Sequence, residues 1–172
     1  MTGTYWTTVV VSGVLALGGC THADEEAKTG QGGGQQGPNE GDCPSDSIAL
    51  SDPVSLAYDA APAPAPIRGA LTPGLYSLKS WTAYGAAEGP EQVKRMTFRY
   101  DTDGTGVAHV AEADGLGEKA SFKWDVADGY LMLEYRCPAQ LEGKKEGRAY
   151  SAESSALSVF TDDGAVLTFV RQ

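Results

Sequence analysis

The stretch from residue 120 to residue 137 constrains the fold of this chain more than any other. Residues 120–126 alternate apolar and polar side chains, which is the period-2 pattern of a strand with one buried face. Asp128-Gly129 follows, and this dipeptide suits a tight hairpin turn because glycine tolerates positive φ. The returning run, residues 130–137, is apolar and aromatic. The stretch therefore predicts a β-hairpin.

The same arrangement recurs through residues 71–172. Asp-Gly occurs at 103–104, 114–115, 128–129 and 163–164, between strand-like runs or at the end of one. The predicted strands are residues 75–84, 93–100, 106–113, 120–126, 130–137, 148–153, 157–161 and 166–171. Short antiparallel strands at this spacing are typical of closed all-β folds. The sequence predicts a small eight-stranded antiparallel up-and-down barrel preceded by a disordered tether.

Charge and motif content exclude several classes of function. The net charge is −10 with no run of clustered Lys or Arg, so we expect no nucleic-acid partner. The chain has two histidines and lacks Gly-x-Ser-x-Gly, His-Glu-x-x-His and glycine-rich phosphate-loop motifs. We therefore expect a protein that is not an enzyme and needs no cofactor.

The N-terminal residues carry an export motif. Residues 9–19 form an apolar run of the length of a signal-peptide core, too short to span a bilayer, and they lead into Leu17-Gly18-Gly19-Cys20. This ending resembles the lipobox of bacterial lipoproteins, although residues 1–8 lack the usual Lys or Arg. An uncleaved anchor helix is the alternative.

The lipobox resemblance implies an address. Residues 1–19 would be a lipoprotein signal peptide, and Cys20 would be acylated with long chains such as palmitate, which anchor the protein in a membrane. The expected location is the bacterial cell envelope. Thr21 after the cysteine favours the outer over the inner membrane.

Two segments separate that motif from the barrel. Residues 20–42 are rich in Gly and Gln and poor in large apolar residues, so we expect a disordered tether. Residues 43–70 are expected to be an extended segment with an Ala/Pro spacer at residues 60–66. Residues 48–58 hold enough apolar side chains for one extended segment or one helical turn against the domain.

Residues 71–172 also carry a diffuse family resemblance. The motifs are Gly74-Leu75-Tyr76, Thr97-Phe98 before Asp103-Gly104, Phe122-Lys123-Trp124, Tyr150-Ser151 and Leu167-Thr168-Phe169-Val170-Arg171. Their order resembles the short bacterial lipocalin-like (calycin) domains, except that Tyr76 stands where lipocalins have Trp.

That resemblance implies a barrel that binds a small apolar ligand or a protein partner of the envelope. A filled barrel with a structural or interaction role is the alternative. The candidate ligand-facing residues are Tyr76, Trp81, Phe98, Trp124, Tyr135 and Arg171. Arg171 is expected to stack on Tyr76 or Trp81 and close one end of the barrel.

A weak calcium motif lies in the middle of the domain. Asp101, Asp103 and Glu112 have the spacing of ligands in an EF-hand loop. Strand-like alternation over residues 93–100 and Pro90 in the would-be entering helix argue against that motif. A hairpin turn is the favoured interpretation, with no metal site.

The chain has three cysteines. If lipidation uses Cys20, Cys43 and Cys137 remain in an oxidising compartment, and a disulfide between them is expected. Such a bond would attach the segment after Cys43 to the barrel. The alternative is two unrelated thiols, with Cys137 pointing inward as a small core residue.

Overall fold

The computed structural model describes residue 43, residues 48–113 and residues 115–172. These residues form one sheet of nine strands. In chain order the strands are β1 (Val54–Asp59), β2 (Gly74–Tyr84), β3 (Val93–Tyr100), β4 (Thr105–Glu112), β5 (Glu118–Ala127), β6 (Tyr130–Cys137), β7 (Lys145–Ala152), β8 (Ala156–Phe160) and β9 (Ala165–Arg171). In the part of the chain that the structure describes, no helix is long and apolar enough to cross a membrane. The expected signal peptide, lipidated Cys20 and tether lie outside the described residues.

The sheet closes into a barrel. Strands β2 to β9 follow one another as antiparallel neighbours, and β9 pairs back onto β2 from Tyr76↔Arg171 to Ala83↔Ala165. The predicted all-β closed barrel is confirmed. We call the end that carries the loops after β2, β4, β6 and β8 the mouth, and the opposite end the base.

Tight turns produce the up-and-down order. Asp128 and Gly129 join β5 to β6 with φ of 52° and 80°, the two positive values that a two-residue hairpin turn requires. Glycines with positive φ also lie in the turns before β4 and β9, at Gly104 and Gly164. The Asp-Gly pattern therefore located these hairpins correctly.

The predicted strand number and the purely antiparallel pairing are wrong, because β1 is a ninth strand. It runs parallel to β2, with Leu56 opposite Trp81, and antiparallel to β3, with Val54 opposite Lys94. Strands β2 and β3 pair directly only near the base, from Gly74↔Tyr100 to Ser77↔Thr97. β1 thus lies between them at the mouth, where the barrel has one more strand than at the base.

A β-bulge in β6 sets the direction of the Cys137 side chain. Tyr135 pairs with Phe122, while Cys137 pairs with Ser121, so Arg136 is an extra residue on β6. Phe122 faces the barrel interior, and its neighbour Ser121 therefore faces outward, as does Cys137. The alternative of an inward Cys137 in the core is wrong for this reason.

On the outer face Cys137 forms the expected disulfide with Cys43, across a sequence separation of 94 and with Cα atoms 5.4 Å apart. Ile48 and Ser51, which are further along the chain, contact the outside of β3 and β4. His109 Nδ1 donates to the carbonyl of Ile48 over 2.8 Å, and the Ser51 hydroxyl accepts from the Met96 amide over 2.9 Å. Val107, an outward-facing residue of β4, is buried as well.

Aromatic rings fill the base. Tyr76, Phe122 and Tyr150 are at most 1 % exposed. The chain just before β2 crosses the base, where its carbonyls accept hydrogen bonds from two buried hydroxyls: Tyr76 to Thr72 over 2.6 Å and Tyr150 to Gly69 over 2.7 Å. The base is therefore packed, and its buried tyrosine hydroxyls are satisfied.

Candidate functional site

A cavity of about 200 Å³ runs from the mouth into the barrel. Four residues of β3 line it, in order from the mouth inward: Lys94, Met96, Phe98 and Tyr100. They are alternate residues of the strand and therefore share its inward face. Strands β6 to β9 supply the other walls. The apolar lining includes Met96, Phe98, Leu133, Val159, Leu167 and Phe169, and the polar lining consists of Lys94, Tyr135, Glu146, Arg148 and Thr161.

The polar lining is centred on Glu146, which accepts hydrogen bonds from three neighbours. Lys144 Nζ lies 2.8 Å from its carboxylate, Arg148 Nη2 lies 3.0 Å away, and the Tyr135 hydroxyl donates over 3.4 Å. Burial alone would raise the pKa of Glu146, but Lys144 and Arg148 outweigh burial, so that this pKa is lowered. Burial, followed by the charge of Glu146, raises the pKa of Tyr135 to about 12. This side of the cavity therefore holds an ionised carboxylate and a neutral phenol.

Lys94 lies apart from that cluster. Its ammonium lies 4.4 Å from the centre of the Trp81 ring, a cation–π distance. Trp81 and Lys94 sit on the two strands that β1 separates at the mouth. Lys94 thus lines the cavity wall, and its ammonium lies over the face of an aromatic ring.

The structure divides the six predicted ligand-facing residues. Phe98 and Tyr135 line the cavity, and Trp81 packs beside it under Lys94. Tyr76 belongs to the packed base, and burial raises the pKa of its hydroxyl. Trp124 packs edge-on against Tyr100 with ring centres 5.5 Å apart, and its indole N–H donates to the Asp101 carbonyl.

Arg171, the sixth, lies beside Tyr76, one of the two rings it was expected to stack on, and its charge partly offsets the effect of burial on the pKa of Tyr76. It pairs in register with Tyr76, and its aliphatic stem covers Gly74, where an added Cβ would lie 2.9 Å from Arg171 Cδ. The cation over Trp81 is Lys94. Gly74 leaves room for the Arg171 stem because it has no side chain.

The sequence reasoning missed Lys94, Glu146 and Arg148 as cavity residues. The available signal was the in-phase alternation of Glu146, Arg148 and Tyr150 along β7. The predicted strand began only at residue 148, so Glu146 was left in a loop.

The residues of the calcium motif serve other purposes. Asp101 is paired with Arg99 at 3.1 Å, and Asp103 accepts hydrogen bonds from the backbone and hydroxyl of Thr105. Glu112 pairs in register with Lys94 at the far end of β4. Within the described residues, no three His, Cys, Asp or Glu side chains are grouped so as to hold a metal ion. The motif is a hairpin turn that Asp103 stabilises by accepting these two hydrogen bonds.

The chain was compared with protein-family models, with curated proteins and with solved structures, and it matches none of them.

Proposed function

We propose that this protein is a non-enzymatic binding protein that holds the apolar part of a small molecule inside its barrel. The observation that carries the proposal is the cavity of about 200 Å³ with an apolar floor and polar groups at its mouth. A cavity of about 150 Å³ lined by apolar side chains takes up a molecule of the size of benzene. The cavity therefore suits a compact ring or a short alkyl chain.

The architecture supports a lipocalin-like assignment at the level of the barrel. Eight consecutive strands, β2 to β9, are antiparallel neighbours and close on themselves, as an up-and-down barrel does. β1 is an addition to that plan. Its place between β2 and β3 widens the mouth, which favours a hollow barrel over a filled one.

Blocking the cavity should weaken binding. Val159→Phe adds a ring to the cavity wall, and we expect it to weaken binding of 1-octanol, a neutral probe, by at least about tenfold. Isothermal titration calorimetry measures the affinity, and far-UV circular dichroism checks the fold. Val170→Phe is the matched control, because Val170 is 37 % exposed on the outside of β9. Wild-type protein that binds neither 1-octanol nor the carboxylate octanoate would contradict the proposal and favour a filled barrel with an interaction role.

We propose that a lipid on Cys20 anchors this module in the bacterial cell envelope, at the outer membrane. The support is the Leu17-Gly18-Gly19-Cys20 motif and the disulfide, a bond typical of exported proteins.

Cys20→Ser should release the protein from the membrane fraction. Two acyl chains give stable membrane anchoring, and a serine at this position would not carry them. We therefore expect the variant in the soluble fraction when the producing cells are fractionated. Thr21→Ser is the control, since it changes the next residue and keeps the thiol. Cys20→Ser protein that remains with the membranes after a high-salt wash would overturn the anchoring proposal.

A further inference from the structure

The charged side chains of the cavity wall differ in whether they form ion pairs. Glu146 is held by Lys144 and Arg148, and Arg148 is also 3.7 Å from Asp162. Lys94 is the third charged residue of the lining. Within the described part of the chain no carboxylate oxygen lies within 4.0 Å of its ammonium, which lies over the Trp81 ring.

We propose that the ligand of this cavity carries an anionic group, such as a carboxylate or a sulfonate, that binds the ammonium of Lys94 at the mouth. This inference rests on the proposed function and adds the chemical class of the ligand.

The geometry of β3 places the two ligand parts. Lys94, Met96 and Phe98 are alternate residues of one strand and face the same cavity. An apolar group that contacts Met96 and Phe98 therefore has its outer end beside Lys94. A Lys ammonium carries three N–H donors, and the Trp81 ring covers one side of it, so donors remain for an anion.

The residues that line the cavity carry a net positive charge. The charged lining residues are Lys94, Arg148 and Glu146, which sum to +1. Glu112, the residue opposite Lys94 on β4, is exposed and does not form an ion pair with it. The chain as a whole is acidic, with a net charge of −10, but charges farther away than about 8 Å are largely screened at physiological salt. Glu112, as the cross-strand neighbour of Lys94, is too close to be screened in this way, so the Lys94 ammonium attracts an anion against the opposing charge of one exposed carboxylate.

The test compares octanoate with 1-octanol, which have the same chain length and differ in charge. Titration calorimetry is carried out on the wild-type protein, on Lys94→Met and on Lys94→Arg. We expect Lys94→Met to lower the ratio of octanoate affinity to 1-octanol affinity by about tenfold, the size of a lost charge-assisted hydrogen bond. Lys94→Arg keeps the positive charge and should retain octanoate binding. Lys79→Met is the matched control, because Lys79 is exposed on β2.

Each outcome decides one point. An affinity ratio that is the same for Lys94→Met as for wild type, or wild-type protein that binds 1-octanol and not octanoate, would overturn the anionic-ligand inference and leave the binding function standing. Wild-type protein that binds neither molecule would overturn the binding function and the inference with it.

Discussion

Replacing both Cys43 and Cys137 with serine is expected to lower the free energy of unfolding by about 4 kcal/mol. The disulfide joins residues 94 apart in sequence, and a loop of that length loses much chain entropy in the unfolded state when it is closed. Residual structure in the unfolded chain reduces the effect, so about 2 kcal/mol is the lower expectation.

Urea denaturation followed by tryptophan fluorescence measures this change. Dithiothreitol should shift the wild-type midpoint toward that of the double variant. It should leave the midpoint of the double variant unchanged, so the double variant is the control for other effects of the reductant. Equal midpoints for the wild-type protein and the double variant would show that the bond contributes nothing to stability.

Phe122→Ala is expected to cost about 3–5 kcal/mol of stability, the range for deleting a buried aromatic ring. Phe122 is 1 % exposed, and its ring contacts Phe98, Tyr100 and Tyr135 with centres 5.7 to 6.3 Å apart. The ring also packs directly on Gly106, where an added Cβ would lie 2.4 Å from it. Its loss leaves a void that this rigid surround cannot close.

Two variants frame that measurement by urea denaturation. Phe122→Leu keeps most of the apolar volume and should cost clearly less than Phe122→Ala. Tyr130→Ala removes an aromatic ring that is 48 % exposed near the base, and it should change stability by less than about 1 kcal/mol. Equal losses for Phe122→Ala and Tyr130→Ala would show that the Phe122 cluster does not hold the barrel together.

Local patterns were enough to predict the hairpins of this fold. The Asp-Gly turns and the period-2 runs located β2 to β9, because a turn and a half-buried strand are both specified by neighbouring residues. β1 was predicted only as one of two alternatives, an extended segment or a helical turn within residues 48–58, and not as a strand of the barrel. Its residues alternate in the same way, but the proline-rich spacer separates them from the other strands in sequence. Its position in the barrel depends on where β2 and β3 stop pairing with each other. That divergence is a property of the closed barrel.

The candidate site was predictable only in part, for a related reason. Alternation shows which side chains face inward, and it identified Phe98 and Tyr135 correctly as cavity residues. It carries no information on depth along the barrel axis, so Tyr76 in the packed base looked the same as Phe98 in the cavity wall. Lys94 was overlooked because a lysine at a strand end is usually solvated, whereas here Trp81 lies beneath it.

The place of β1 determines where a shortened form of this domain can begin. The change in amino-acid composition that follows the Ala/Pro spacer would place that boundary at Leu71. A chain cut there would lose β1 and leave without partners those backbone groups of β2 from Trp81 to Tyr84, and of β3 near Val93, that point toward β1. Two bare strand edges side by side are a template for joining another molecule, and such edges drive aggregation. The smallest self-contained form of this domain therefore includes Val54–Asp59.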